Sequence, residues 1–306
     1  FHLIKSMSKG DRRNFKLFAR LQDGDKNYVQ LFDAIDKQEV YDEKKLLKQF
    51  EGERFTKQFS VAKNYLYNYI LRTLDIFHTD PHEELSSVIH KIEILIGKNL
   101  FDQAQKLIRK AKHMATRQER FGEMLELLQH ERTVLRSMQK TKQHFVFIQG
   151  IQEEEMKMLR YVANLLDYVH LYDRINQLVD LATFSRGEED DAAARAILED
   201  PLVSSADGAL TVRAKLLRLD IMTSCNRFVY DFEHCLAISE ASVKLYEEYP
   251  DLLKEVNLSY ISTISNLGIY YYRNGKIREA EHALDRLVEL KTYSDKESVR
   301  AVEKYY

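Results

Sequence analysis

Glycine and proline together supply only 13 of the 306 residues in this chain. Average usage of the two residues is roughly 12%, which would supply about three times as many glycines and prolines in a chain of this length. β-sandwiches, barrels and glycine-looped α/β folds depend on the tight turns that these residues make. Long helices need far fewer of them, and the composition therefore predicts an all-α protein.

The spacing of apolar residues supports helices along nearly the whole chain. Between residues 55 and 78, Phe59, Ala62 and Leu66 belong to a series that recurs at intervals of three and four. This interval marks the apolar stripe of a helix. Shorter helices precede it, and residues 1–80 are therefore predicted to form an N-terminal helical bundle.

Residues 81–306 contain a succession of amphipathic segments with short polar joints, which predicts helices that pack antiparallel to their neighbours. Two of these helices are predicted at 144–159 and 160–184. The segment at about 185–207 is expected to be irregular, apart from a short alanine-rich helix that starts at the acidic run 188–191 and ends at about Glu199. A last helix that starts near 295 is expected to be truncated. The chain is thus predicted to have two parts, a bundle and an array of helical hairpins.

Residues near the C-terminus follow a pattern of small, aromatic and apolar positions: Leu267, Gly268, Tyr271, Gly275, Ala280 and Leu284. This pattern resembles the tetratricopeptide repeat (TPR). A weaker copy includes Phe101 and Ala104, and a degenerate third copy would contain Phe232 and Cys235. The resemblance implies a TPR-like α-solenoid over 81–306. Nearly the whole chain also resembles uncharacterised bacterial helical-repeat proteins, through segments 63–67, 103–107 and 200–202. This second resemblance does not indicate any particular activity.

The TPR resemblance implies a groove, because the first helix of each repeat lines the concave face in that family. The position before the Leu-Gly pair often carries an asparagine that hydrogen-bonds an extended peptide, and Asn266 occupies this position. Ser262, Ile269, Tyr272 and Arg273 are expected to face the same peptide-binding groove. The alternative is that these side chains are solvated or covered by another helix.

No residue pattern for catalysis, cofactor binding or metal binding is present. The chain has no glycine-rich phosphate loop, no nucleophile elbow, no zinc-protease motif and no Cys-x-x-Cys pair. Its two cysteines, Cys225 and Cys235, lie in apolar stretches and are predicted to be buried free thiols. We therefore predict no enzyme activity, no catalytic residue, no cofactor and no bound metal.

Charge and hydropathy restrict the partners. The chain has 46 basic and 48 acidic side chains, so its net charge of −2 provides no overall attraction to nucleic acid. No stretch is long and apolar enough to predict a membrane span. Binding of nucleic acid would need a local patch in residues 1–80, where Lys44, Lys45 and Lys48 lie on the second helix of a candidate helix-turn-helix.

The favoured hypothesis is a cytoplasmic, non-catalytic scaffold that binds a protein or peptide of unknown identity in the groove of the helical array. The alternative is a regulator whose N-terminal helices bind nucleic acid while the repeat array senses a signal. The two hypotheses depend on different residues, since the first requires the groove and the second requires the lysines of residues 1–80.

Overall fold

The computed structural model describes residues 1–21, 26–77, 81–137, 142–182, 187–253 and 257–293. These residues are mostly helical and contain no β-strand, which confirms the all-α prediction. None of their helices combines the length and the apolar composition needed to cross a membrane. The chain splits into two compact units, Phe1–Glu83 and Glu84–Tyr306, whereas the boundary predicted from the sequence lies at residue 80.

The described residues of the first unit contain the α-helices α1 (His2–Ser6), α2 (Lys9–Leu21), α3 (Lys26–Lys37), α4 (Glu43–Gln49) and α5 (Phe59–Phe77). A 3-10 turn, Arg54–Gln58, precedes α5, so this α-helix begins later than predicted. Leu66 and Ile70 on the buried stripe of α5 share a core with Phe15 and Phe32. The rings of these two phenylalanines stack with their centroids 4.3 Å apart.

From Pro81 onward the described residues contain α6 (Pro81–Gly97), α7 (Phe101–Arg117), α8 (Phe121–Ser137), α9 (Lys142–Ala182), α10 (Glu188–Glu199), α11 (Pro201–Ser204), α12 (Val212–Phe228), α13 (Phe232–Glu248), α14 (Pro250–Leu253), α15 (Asn257–Arg273) and α16 (Ile277–Tyr293). Each of the three prolines is the first residue of a helix, where a missing amide hydrogen leaves no intrahelical bond unmade. The helix predicted to start near 295 lies outside the described residues.

One continuous helix replaces two predicted ones. α9 has 41 residues, and the joint expected between 159 and 160 does not exist. Neither glycine nor proline lies near that position, so the backbone hydrogen bonds continue through it. Ile151 in the first half of α9 belongs to a core shared with α6, α7 and α8, whereas Tyr168 in the second half belongs to a core shared with α10, α11 and α12. This change of buried face explains why the apolar pattern predicted two helices.

In the described residues of the segment 185–207, the predicted short helix is present as α10, and α11 follows it. α10 begins with an acidic first turn, and Asp190 accepts a hydrogen bond from Gly187 N at 2.8 Å. Carboxylates at this end of a helix interact favourably with its dipole. The buried Tyr168 donates its hydroxyl to Leu202 O at 2.7 Å, which attaches α11 to α9.

Four hairpins of the second unit share one kind of three-residue joint: α6–α7, α7–α8, α12–α13 and α15–α16. The middle residue of each joint has a left-handed backbone: Asn99 (φ 58°), Glu119 (φ 50°), Tyr230 (φ 63°) and Gly275 (φ 74°). The next amide donates to the carbonyl five residues earlier, as Lys276 N does to Tyr271 O at 2.9 Å. This bond is typical of a Schellman helix ending. The repeated joint reverses the chain and makes each pair of helices antiparallel.

Replacing Gly275 with alanine is expected to lower the free energy of unfolding by about 1 kcal/mol, because a Cβ disfavours the left-handed backbone. Gly97→Ala is the matched control, since Gly97 lies in α6 without a positive φ and an added Cβ there meets nothing within 4 Å. Urea denaturation of both variants measures the difference. Equal stabilities would contradict the role assigned to Gly275 in the joint.

The joint between α7 and α8 also caps another helix of the same unit. Glu119 Oε1 accepts a hydrogen bond from Val212 N at 2.7 Å, and Glu119 Oε2 accepts one from Arg213 N at 2.8 Å. Both amides belong to the first turn of α12, where no intrahelical acceptor is available. The left-handed conformation of Glu119 thus places its carboxylate at the positive end of the α12 dipole.

Glu119→Ala is expected to destabilise the second unit by about 2 kcal/mol, because it removes two hydrogen bonds to a charged acceptor. Thr211 still caps α12 through Ala214 N, so the helix itself is expected to persist. Thermal unfolding followed by circular dichroism measures the loss. The control, Glu153→Ala, alters an exposed glutamate of α9 and is expected to change stability by less than about 0.5 kcal/mol. A loss of the same size in both variants would refute the capping role.

Candidate functional site

A cavity of about 580 Å³ lies between α9, α12 and α15, and we call it the groove. α9 contributes Tyr172 and Asn176, whereas α15 contributes residues from Leu258 to Ile269. The wall formed by α12 consists of Asp220, Thr223, Ser224 and Arg227. A volume in this range is typical of ligand sites. α16 also lines the groove, through Leu287, and all four helices belong to the second unit, so the groove is formed by one compact body.

Three of the five residues predicted to face a groove line this one: Ser262, Asn266 and Ile269. Their spacing of four and three residues places them on one face of α15. Tyr272 and Arg273 do not line the groove. Tyr272 is exposed, and Arg273 places its guanidinium 4.9 Å from the centre of the Phe232 ring at the start of α13.

Packing of the opposite face of α15 determines which face is left for the groove. Ile264 is completely buried and Leu267 is nearly so, in a core shared with α12, α13, α14 and α16. Ile269, by contrast, is half exposed. Burial of one apolar stripe against neighbouring helices therefore orients the polar stripe of α15 toward the cavity.

Asp220 and its neighbours on α12 were not predicted as site residues. The signal that could have revealed them is the position of Asp220 between two apolar residues, Leu219 and Ile221, in the middle of a predicted helix. A buried acidic residue in such a position is unusual unless it has a partner or a function. Asp220 could not be predicted from the repeat pattern, because that pattern covers α15 and has no clear match on α12.

The Asp220 carboxylate is the most strongly perturbed acid in the groove. Burial raises the pKa of Asp220 from its ordinary value of 3.8 to about 7. Among the described residues, no hydrogen-bond donor and no cation pairs with this carboxylate. A carboxylate that has lost much of its water without gaining a partner is costly to the fold, and perturbed groups of this kind cluster at functional sites.

Amide and hydroxyl groups give the groove both donors and acceptors. Asn266 is partly buried, and its side chain has no hydrogen-bond partner within the described part of the chain. The hydroxyl of Thr263 donates to Ser259 O at 2.8 Å within α15, so it is already used. Asn266 and the exposed Ser262 are therefore free to bond a ligand placed in the groove.

Both cysteines lie beside this region and are unreactive. Cys225 and Cys235 are completely buried free thiols, which confirms that prediction. Burial raises the pKa of Cys225 to about 12 and the pKa of Cys235 to about 11. Since the thiolate is the nucleophile, neither residue offers nucleophilic chemistry near neutral pH.

One group of side chains between α6 and α8 has atoms that could contact a metal ion. Ligand atoms of Glu93, Glu126 and His130 lie within 4.8 Å of one another, and both glutamates are exposed. Structural zinc sites have four ligands, whereas the described residues supply three. His130 Nε2 lies 3.9 Å from Glu126 Oε1, too far for a hydrogen bond. We assign no metal to this cluster.

The first unit contains a second, mainly apolar cavity of about 430 Å³. The lysine that lines it, Lys63, is paired with Glu43 at 2.6 Å, so it offers no free charge. The three lysines of the candidate helix-turn-helix, Lys44, Lys45 and Lys48, are exposed on α4. That helix has only seven residues, and nucleic acid binding through it stays a prediction.

Comparison with protein-family models, with curated proteins and with solved structures finds no match to this chain. No activity can therefore be transferred to it from another protein. The function is inferred from two sources, the chemistry of the groove and the repeat pattern of the sequence.

Proposed function

We propose that the protein is a non-catalytic cytoplasmic scaffold that binds an extended segment of a partner protein, or a peptide, in the groove of a TPR-like solenoid. The observation that carries this proposal is the groove itself, in which Asn266, Ser262 and Ile269 meet the polar wall of α12. A cytoplasmic location is supported by the free thiols, because unpaired cysteines are typical of reducing compartments.

The hairpin of α15 and α16 supports the TPR-like part of the proposal. An added Cβ on Gly268 would lie 3.5 Å from Ala283 Cβ, so the two helices approach closely at this small residue. Ala280 is buried on the facing helix, and Gly275 forms the turn. Leu284 departs from the pattern, since the resemblance places a large apolar residue there and its side chain is about half exposed.

The other hairpins support a stack of similar units. In the weaker copy on α7, Ala104 and Ile108 are completely buried, as is Ile92 on the preceding helix. In the degenerate copy on α13, Cys235 is completely buried, as expected for a small packing residue. Stacked hairpins with shared cores are the arrangement that α-solenoids use to create extended binding surfaces.

Binding of an extended backbone fits the chemistry of the groove. A peptide that enters the groove loses water from its N–H and C=O groups, and each of them needs a new partner. An asparagine side chain provides both a donor and an acceptor, and a serine hydroxyl does the same. Asn266 and Ser262 supply these groups on one wall, and Thr223 and Ser224 add hydroxyls on the opposite wall.

The absence of an activated nucleophile among the described groove residues supports the non-catalytic part of the proposal. A serine or threonine nucleophile needs a base within hydrogen-bond distance. Asp220 is the acid best placed to serve as a base, and it has no hydrogen bond to Thr223, Ser224 or any other described hydroxyl.

A random peptide library displayed on phage tests the proposal with the full chain as bait. We expect peptides that bind saturably. Asn266→Ala is expected to lower their affinity roughly tenfold, because it removes a hydrogen-bond donor and acceptor from the groove. Asn68→Ala is the matched control, since Asn68 is an exposed asparagine of the first unit. Peptides that bind both variants as tightly as the native chain, or a library that yields no binder, would overturn the proposal.

A further inference from the structure

One acidic residue and one basic residue line the same wall of the groove. Asp220 and Arg227 are seven residues apart on α12, and both side chains line the cavity. Seven residues make nearly two turns of an α-helix, so the two groups share a face and are separated by about 10 Å along the axis. No ion pair joins the two side chains in the described part of the chain, and Arg227 is exposed.

Neighbouring side chains locate the two charges at different ends of the α15 wall. Burial raises the pKa of Tyr246, and the charge of Asp220 raises it further, which places Asp220 near this tyrosine in the core beneath the first half of α15. Burial also raises the pKa of Tyr270 to about 12, and the charge of Arg227 opposes that rise. Arg227 therefore lies toward the second half of α15, where Asn266 and Ile269 line the groove.

We propose that the groove selects a segment with a basic residue that pairs with Asp220 and an acidic residue, two to four positions away, that pairs with Arg227. This inference rests on the proposed function and specifies its partner. An extended chain advances about 3.3 Å per residue, so this interval matches the rise of α12 between the two residues. The order of the two charges gives the bound segment a defined direction along the groove.

The energetic reason for the selection lies in the state of Asp220. Its carboxylate is mostly buried, and no cation among the described residues neutralises it. A lysine or arginine of the bound segment supplies the positive charge that pairs with Asp220. An uncharged residue displaces water from the carboxylate and leaves it without a partner. Asp220 therefore disfavours the wrong segment as well as favouring the right one.

Sequencing of the library peptides that bind the native chain tests the inference. We expect Lys or Arg to be enriched two to four positions from Asp or Glu. Asp220→Asn is expected to lose the basic preference and to keep the acidic one, and Arg227→Gln is expected to do the reverse. Arg273→Gln is the matched control, because Arg273 stacks on Phe232 outside the groove, and both preferences are expected to remain.

Affinity measurements on one selected peptide complete the test. Exchanging its basic residue for glutamine is expected to weaken binding roughly tenfold to the native chain and less than about twofold to Asp220→Asn, which measures the coupling of the pair. Peptides that depend on Asn266 but show no charge pattern, or equal losses in both proteins, would overturn this inference alone. A library that yields no binder dependent on Asn266 would overturn the proposed function and this inference together.

Discussion

Asp220→Asn is expected to raise the free energy of unfolding above pH 7 and to leave it unchanged below about pH 4. Burial raises the pKa of Asp220 from 3.8 to about 7 in the folded protein. Between these two pH values the folded state holds a proton that the unfolded state has released, so the native chain loses stability as the pH rises. Asparagine has no charge to bury, and the variant avoids this loss.

The size of this gain in stability follows from the pKa shift of Asp220, since one pKa unit corresponds to about 1.4 kcal/mol. Water in the groove reduces the cost of the buried charge, so we expect Asp220→Asn to gain about 2 kcal/mol at pH 8, less than the full shift would yield. Urea denaturation at pH 4 and pH 8 measures the gain. The control, Asp285→Asn, alters an exposed aspartate of α16 and is expected to change stability by less than about 0.5 kcal/mol at either pH. A variant that is destabilised at pH 8, or equally stabilised at both pH values, would contradict the prediction.

The same substitution connects stability with the proposed binding. A residue that destabilises the fold at neutral pH and lines a groove is typical of a functional site. If a basic residue of the partner pairs with the ionised carboxylate, affinity is expected to increase as the pH rises through about 7. Asp220→Asn is then expected to bind weakly at every pH, although its fold is more stable.

Ile264→Ala is expected to lower the free energy of unfolding by about 3 kcal/mol, because Ile264 is completely buried and its loss leaves a cavity. Ile269→Ala removes the same atoms from the half-exposed face of α15 and is expected to cost less than about 1 kcal/mol. The two isoleucines are five residues apart on one helix, which makes them a matched pair for the two faces.

Stability and binding are expected to respond in opposite ways to these two substitutions. Thermal unfolding measures the first, and titration of a selected peptide at a temperature where both variants are folded measures the second. Ile269→Ala is expected to weaken binding of the peptide, since Ile269 lines the groove. Ile264→Ala is expected to change the affinity for the peptide little. Equal losses of stability in the two variants would show that α15 is not oriented as described.

Helix positions could be predicted where a run of apolar residues at helical spacing ends at a polar joint. The apolar spacing over 101–117 predicts one helix, and α7 has these bounds in the structure. α9 could not be predicted as one helix, because its apolar face changes direction while its backbone continues. The left-handed conformations of Glu119 and Tyr230 also left no signal, since glycine is the residue that normally marks such positions.

The groove was predicted in part. Ser262, Asn266 and Ile269 were inferred from the resemblance of α15 to a repeat, and they lie together in the cavity. Arg273 was inferred in the same way, yet its side chain stacks on Phe232, since a long side chain near a helix end can reach a neighbouring aromatic ring. Asp220 belongs to another helix 46 positions earlier, and no local pattern relates it to Asn266.

The sequence by itself determined that this protein is built from helices, because the scarcity of glycine and proline and the three-to-four spacing of apolar residues are local properties of the chain. Only the tertiary structure decided which helices form the groove and which charges line it. Asp220, Arg227 and Asn266 meet because the hairpins of α12 and α15 bury their apolar stripes in a shared core and leave these faces opposite each other. Such a meeting depends on long-range packing, which local periodicity does not encode.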